Sequence, residues 1–263
     1  MPEIDRLDPS SDCISKTLLR DGAVIVENAI PDDIVAHIHE DFRIPFASQS
    51  ATCHKTPGGV KPRRVGAVLT YSRAAANVLA NALVLSVADD VLNENCENYQ
   101  IGATTAIDCP PGRSDQRLYR FDEVYPVRIP GVEFQVVSVV ALTDFVEENG
   151  APRVMLRTPE TRNSDEIVPA HIASATMRRG SILFMLGSTW HGCGRNTVDK
   201  ASAALVTNYS LGWLRQEENQ YLSIPREVVD SYPATLQRLI GYQSHGRRLG
   251  IYPGDPDGHW RKA

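Results

Sequence analysis

The spacing of apolar positions changes character near residue 99 of this 263-residue chain. Before that point, Gly22-Ala-Val-Ile-Val-Glu27 is a short β-branched run that reads as a strand. Pro31 to Asp41 follows with helix-start residues and a helical apolar period, which reads as a helix. Residues 47 to 66 collect Ser, Thr, Gly, Pro and basic residues without an apolar period, the composition of a surface loop. Ser72 to Leu92 carries Ala, Leu and Val on a helical period, and its small side chains predict a helix packed closely on a sheet.

After residue 99 the pattern is that of strands. Tyr99 to Asp108, Gly131 to Phe145, Ser181 to Met185 and Ala203 to Leu214 are apolar or alternating runs rich in Val, Ile, Thr and Phe, divided by Pro and Gly. A helical first part followed by a run of strands predicts a mainly β fold, a sandwich or jelly-roll barrel with flanking helices. Residues 1–263 read as one domain: a strand and helix part at 1–98, a barrel core at 99–222, and a helix with an irregular tail at 223–263.

Composition narrows the function. With 27 Lys and Arg against 32 Asp and Glu, the net charge of -5 gives no chain-wide basic field for a phosphate backbone, so nucleic acid is not expected as a partner. No run approaches the roughly 18 uninterrupted apolar residues of a membrane span, and the first residues carry no basic segment leading into an apolar one. Five scattered cysteines without a Cys-x-x-Cys pair spell neither a disulfide framework nor a structural zinc site. A cytoplasmic protein away from membranes is the expectation.

Three stretches carry a resemblance. They are Pro111-Gly-Arg-Ser-Asp-Gln-Arg-Leu-Tyr-Arg-Phe-Asp122, then Glu148-Asn-Gly-Ala-Pro-Arg-Val154, and lastly Gly180-Ser-Ile-Leu-Phe184 with His191-Gly-Cys-Gly-Arg-Asn196 and the block from Gly212 to Leu222. In their order and spacing they resemble the phytanoyl-CoA dioxygenase-like Fe(II)/2-oxoglutarate oxygenases, in particular the fungal enzymes that tailor terpenoids and meroterpenoids. The resemblance implies a double-stranded β-helix, a cupin-like jelly roll with its site inside the open end.

Such an oxygenase holds ferrous iron by two imidazoles and one carboxylate on one face, leaving the remaining positions to the oxo-acid and dioxygen. The first His and the carboxylate come as His-x-Asp because residues i and i+2 of a strand share a side. Where the family reads Leu-His-Arg-Asp-Asp, this chain reads Leu118-Tyr119-Arg120-Phe121-Asp122, so the ligand positions hold Tyr119 and Phe121. His191 alone matches a ligand. The family's anchor for 2-oxoglutarate, an Arg about eleven residues after the second His, makes a two-pronged ion pair that no neutral side chain replaces. Here that position is Ser202, with Lys200 displaced by two, and Gln116 stands at a second co-substrate position. No catalytic residue, metal or cofactor is therefore expected on this chain, and Tyr119, Phe121, His191, Ser202 and Gln116 read as relics. Asp122, offered as a substitute carboxylate, lies one residue out of register.

Other His and Cys residues read more plainly. His39-Glu40-Asp41 spells His-x-Asp on a helix, where positions two apart project about 200° apart and cannot share a metal. His54 and His171 read as loop residues, and Cys193 as a small core residue. The block Gly212 to Leu222 admits two readings, a solvated strand end or an interface. Aromatic residues beside Arg favour an interface built on Trp213, Arg215, Gln216, Glu217, Asn219 and Tyr221.

These readings lead to a catalytically silent oxygenase-fold subunit paired with an active paralogue that holds Fe(II), 2-oxoglutarate and most of a terpenoid-like substrate. The loop 47 to 66, the block 212 to 222 and the C-terminal tail are its candidate contact segments. The alternatives are a working enzyme, either an oxygenase with unorthodox ligands or a redox-neutral isomerase or cyclase using Tyr119, His191 and Asp122 as acid and base. A third is a carrier that holds a lipophilic ligand in the barrel.

Overall fold

A computed structural model describes residues 2–49, 55–56, 59–156, 167–246 and 248–255. The chain opens with β1 (Arg6–Leu7), α1 (Ile14–Asp21) and β2 (Ala23–Val26), followed by α2 (Asp32–Asp41) and α3 (Arg43–Gln49). A hairpin of β3 (Lys55–Thr56) and β4 (Gly59–Val60) leads to β5 (Arg63–Val65) and to α4 (Val68–Tyr71), α5 (Arg73–Leu79) and α6 (Ala82–Leu92). The barrel strands are β6 (Tyr99–Cys109), β7 (Gln135–Ala141), β8 (Pro152–Met155), β9 (Ile172–Ser174), β10 (Ile182–Leu186), β11 (His191–Cys193) and β12 (Ser202–Leu211). Three short helices, α7 (Gln220–Ser223), α8 (Arg226–Val229) and α9 (Ala234–Ile240), complete the described residues.

Seven strands form one sheet in the order β1-β2-β10-β7-β12-β6-β5, and β11-β8-β9 form a second, smaller one. The large sheet is covered on both faces, which explains the unbroken apolar runs of its central strands. Because side chains alternate, Ile182, Phe184 and Leu186 of β10 join Leu18, Leu79 and Leu92 of the helices, whereas Leu183 and Met185 pack between the sheets. In β12, Leu205 and Tyr209 face the helices and Ala204 faces the small sheet. The Tyr209 hydroxyl, fully buried, donates to Leu79 O at 2.8 Å and ties α5 to the sheet. This is the expected mainly β jelly roll, with helices on one face of the large sheet and the small sheet on the other.

The expected strands at 22–27, 99–108, 131–145, 181–185 and 203–214 and the helix at 31–41 are all present, with ends trimmed by a few residues. Two segments differ. Ser72 to Leu92 is not one helix: α5 ends at Ala80, and the Asn81 side chain accepts from Leu83 N at 2.9 Å, starting α6 anew. The stretch read as a loop at 47–66 contains β5, which pairs with β6 and places Arg63 Nε 2.7 Å from Asp108 Oδ2. Residues 50–54, 57 and 58 of that stretch, with His54, lie outside the described residues, as does the tail beyond residue 255. His37 and His39 are exposed on α2, and His171 is exposed in a one-turn 3-10 segment.

The turn into β10 depends on Gly180. Its φ is +81°, and a Cβ there would lie 2.6 Å from Ile30 O, beside the bond in which Ile30 N donates to Gly180 O at 2.9 Å. Gly180→Ala is expected to cost about 2 kcal/mol through left-handed strain and the displaced carbonyl, lowering the urea midpoint with an unchanged slope. A variant as stable as the parent contradicts this account of the turn.

Candidate functional site

A cavity of about 80 Å³ lies between the two sheets. Ile107 and Cys109 of β6 and Ser202 and Ala204 of β12 form one wall; Tyr119, Phe121, His191 and Cys193 form the other. Pockets that hold small organic ligands are typically about 300 Å³ or more. The cavity is therefore too small for a carrier's cargo.

Backbone pairing sets the second wall. Tyr119 N donates to His191 O and His191 N to Tyr119 O, both at 2.9 Å, an antiparallel bridge that holds the two residues opposite each other. The Phe121 ring stacks on the imidazole at 4.4 Å and 20°, and the Tyr119 ring meets it at 4.4 Å and 53°. His191 is 5% exposed. Its Nδ1 lies 2.9 Å from Thr189 O, a pure acceptor, so Nδ1 carries the proton and Nε2 the lone pair. Nε2 has no hydrogen-bond partner among the described residues. Arg64 of β5 and Tyr119 both line the cavity, and burial raises the pKa of the Tyr119 phenol.

These side chains do not fit a ferrous ion. One imidazole nitrogen is present, the side chains packed on it are the aromatic rings of Tyr119 and Phe121, and no group of three His, Cys, Asp or Glu able to hold a metal occurs among the described residues. Ser202 faces the cavity, but its hydroxyl donates to Asn149 O at 2.7 Å. Lys200 is exposed in the preceding loop and does not line the cavity. Gln116 lies outside the lining, where its Oε1 accepts from Arg113 Nη2 at 3.1 Å and Cys193 N at 3.3 Å. Asp122 also stands apart: it begins a turn behind Phe121 and pairs with Arg120 Nε at 3.2 Å. An acid–base set of Tyr119, His191 and Asp122 is thus corrected to Tyr119 and His191, because the 3-10 turn starting at Phe121 carries Asp122 out of the cavity and onto Arg120.

The block 212–222 is divided between inward and outward residues. Gln216 is buried and donates to Ile101 O and Ile240 O, both at 2.8 Å, and Trp213 Nε1 donates to Asn95 O at 3.0 Å. Glu217 accepts from Gln135 Nε2 and Asn208 Nδ2, each at 2.6 Å, and Asn219 caps α7. Gln216 is therefore corrected from an interface residue to an internal strut. Arg215 is exposed, and Tyr221 and Leu222 are 41% and 74% exposed.

One feature of the cavity was not legible from spacing. Cys109 of β6 and Cys193 of β11 both line the cavity. Each thiol acts on the other, drawing the Cys193 pKa down and pushing that of Cys109 up.

Burial drives the His191 pKa from 6.5 down to about 4, with the bond to Thr189 O opposing. A depressed histidine pKa means that the unfolded chain binds the proton first, so stability present above pH 6.5 is lost as the pH falls toward 4. The loss is about 3 kcal/mol. Urea unfolding of the parent and of His191→Asn is expected to show a steeper decline in the parent between pH 6.5 and 4; parallel profiles contradict the buried neutral imidazole.

The phytanoyl-CoA dioxygenase (PhyH) family matches residues 18–203. The dioxygenase olcK of Penicillium canescens is 26% identical over 254 residues, covering 91% of this chain and 83% of its own length. The dioxygenase aneA of Aspergillus aculeatus is 27% identical over 251 residues, covering 88% and 82%. Among solved structures, the non-heme alpha ketoglutarate dependent epimerase SnoN from nogalamycin biosynthesis aligns with a TM-score of 0.65 at 15% identity, over 84% of this chain and 89% of that one. HygX from Streptomyces hygroscopicus, solved with nickel and 2-oxoglutarate bound, aligns with a TM-score of 0.61 at 13% identity, over 78% and 89%. With that family's model matching residues 18–203, this chain belongs to the phytanoyl-CoA dioxygenase family.

Proposed function

We propose that this chain is the non-catalytic subunit of a heterodimeric non-heme iron and 2-oxoglutarate dependent oxygenase in fungal terpenoid or meroterpenoid biosynthesis. It stabilises an active paralogue and shapes the entrance to that paralogue's pocket. The observation that carries the reading is the stack of Tyr119, His191 and Phe121, which puts two rings where the family needs an imidazole and a carboxylate. Ser202, bonded to Asn149 O in place of an anchoring guanidinium, supports it independently. Fe(II), 2-oxoglutarate and most of the substrate belong to the partner, and the pair works in the cytoplasm without nucleic acid or membrane. The fungal dioxygenase relatives and the likeness to SnoN of nogalamycin biosynthesis support a place in secondary metabolism.

The contact is carried by the outward residues of the block 212–222. Tyr221 and Leu222 present apolar surface, and Arg215 adds a charge that selects a complementary paralogue.

A second reading, a redox-neutral isomerase, draws on the unpartnered Nε2 of His191 beside the Tyr119 phenol. The 80 Å³ cavity weighs against it, since a terpenoid needs several times that volume.

Co-expression with a paralogue that retains His-x-Asp, His and Arg tests the proposal. The expected result is co-elution as a heterodimer and at least about a tenfold gain in the paralogue's soluble yield or turnover, reduced by Leu222→Glu. A monomeric chain that changes neither, or conversion of substrate by the isolated chain, overturns it.

A further inference from the structure

The large sheet ends at β5, and the last strand of a sheet presents backbone N–H and C=O groups that a strand from another molecule can complete. Along an antiparallel pair, successive residues turn their backbone groups alternately toward the neighbouring strand and away from it. Within the three residues of β5, the outward one is Arg64. Both of its backbone groups are taken by a single side chain: Arg64 N donates to Gln49 Oε1 at 3.0 Å, and Gln49 Nε2 donates to Arg64 O at 2.5 Å. A residue of a facing antiparallel strand makes the same pair of bonds. Gln49 is the last residue of α3, so a helix end stands where a further strand would lie.

The surroundings favour strand pairing wherever that amide is not in place. Ile44 and Tyr71, 69% and 50% exposed, border Gln49 and Val65 along a surface groove of about 410 Å³. Apolar surface beside an open edge draws two copies together, and an antiparallel edge is complementary to itself about a twofold axis. Pro62, just before the strand, has no N–H and keeps the edge short. Arg64 is then the residue left to cover, and one amide suffices.

We propose that Gln49 guards this edge: its amide occupies the free side of β5 and prevents a second copy of the chain from pairing there, Arg64 to Arg64. The chain stays single as a result. This property belongs to the chain by itself and holds whether or not the chain joins a paralogue. A side chain at position 49 must offer an acceptor and a donor together, which an amide does and a methyl group does not.

Amide hydrogen exchange and sedimentation equilibrium on the full chain test the guard. In dilute Gln49→Ala, the Arg64 amide is expected to exchange at least about tenfold faster than in the parent, because its acceptor is gone. In a concentration series, Gln49→Ala should associate with a dissociation constant at least about tenfold below the parent's, and the Arg64 amide should regain protection as it does so. Adding Arg64→Pro, which removes the N–H from that edge, should return the variant to a single chain. Exchange at Arg64 that matches the parent, a Gln49→Ala chain as monomeric as the parent, or association that leaves the Arg64 amide unprotected overturns the proposal. The single variant decides it even if Arg64→Pro fails to fold.

Discussion

The two backbone hydrogen bonds between Tyr119 and His191 are the constraint on which the site depends. They hold Tyr119 opposite His191, and the 3-10 turn that starts at Phe121 sets the rest: Tyr119 and Phe121 line the cavity, and Leu118 and Asp122 do not. A shift of one residue would present Asp122 to the imidazole and change the chemistry of the wall. Arg120 resists that shift from behind, paired with Asp122 and lying over the Trp190 ring at 5.1 Å.

With the register fixed, two rings replace what would be a charged, chelating corner. A carboxylate beside a neutral, buried imidazole needs a cation to remain ionised, whereas aromatic rings need none and add about 0.5 to 1.5 kcal/mol per contact. The same exchange appears at Ser202, where a short hydroxyl satisfied by Asn149 O stands in place of a guanidinium that would require its own anion. Each replacement removes a demand for a bound partner. Together they leave a small, mainly apolar cavity inside an intact jelly roll.

Much of this was legible in the sequence because strand spacing is rigid. The runs at 131–145, 181–185 and 203–214 hold strands buried on both faces, and that at 99–108 alternates, the two patterns of strands in a covered sheet. The family resemblance pointed to Tyr119, Phe121 and Ser202, and all three line the cavity. Short strands were not visible: β8, β9 and β11 are three or four residues long, too brief for an alternating pattern, yet they build the whole small sheet. Nor could local pattern reveal contacts between distant segments. Gln216 looked like a surface residue because its neighbours are charged, and only the approach of Ile101 and Ile240 makes it internal. Cys109 and Cys193 are brought to one cavity by the closing of two sheets, for which the sequence carries no spacing signal.

The most direct test of the ring-filled metal seat is the ¹⁵N spectrum of the His191 imidazole during titration with cobalt(II) in the presence of 2-oxoglutarate. With Tyr119 and Phe121 packed on the ring, the Nδ1-protonated tautomer and its shifts should stay unchanged through one equivalent of metal. Saturable broadening of that imidazole at one equivalent would show that this chain builds a metal centre of its own, contrary to the arrangement described above.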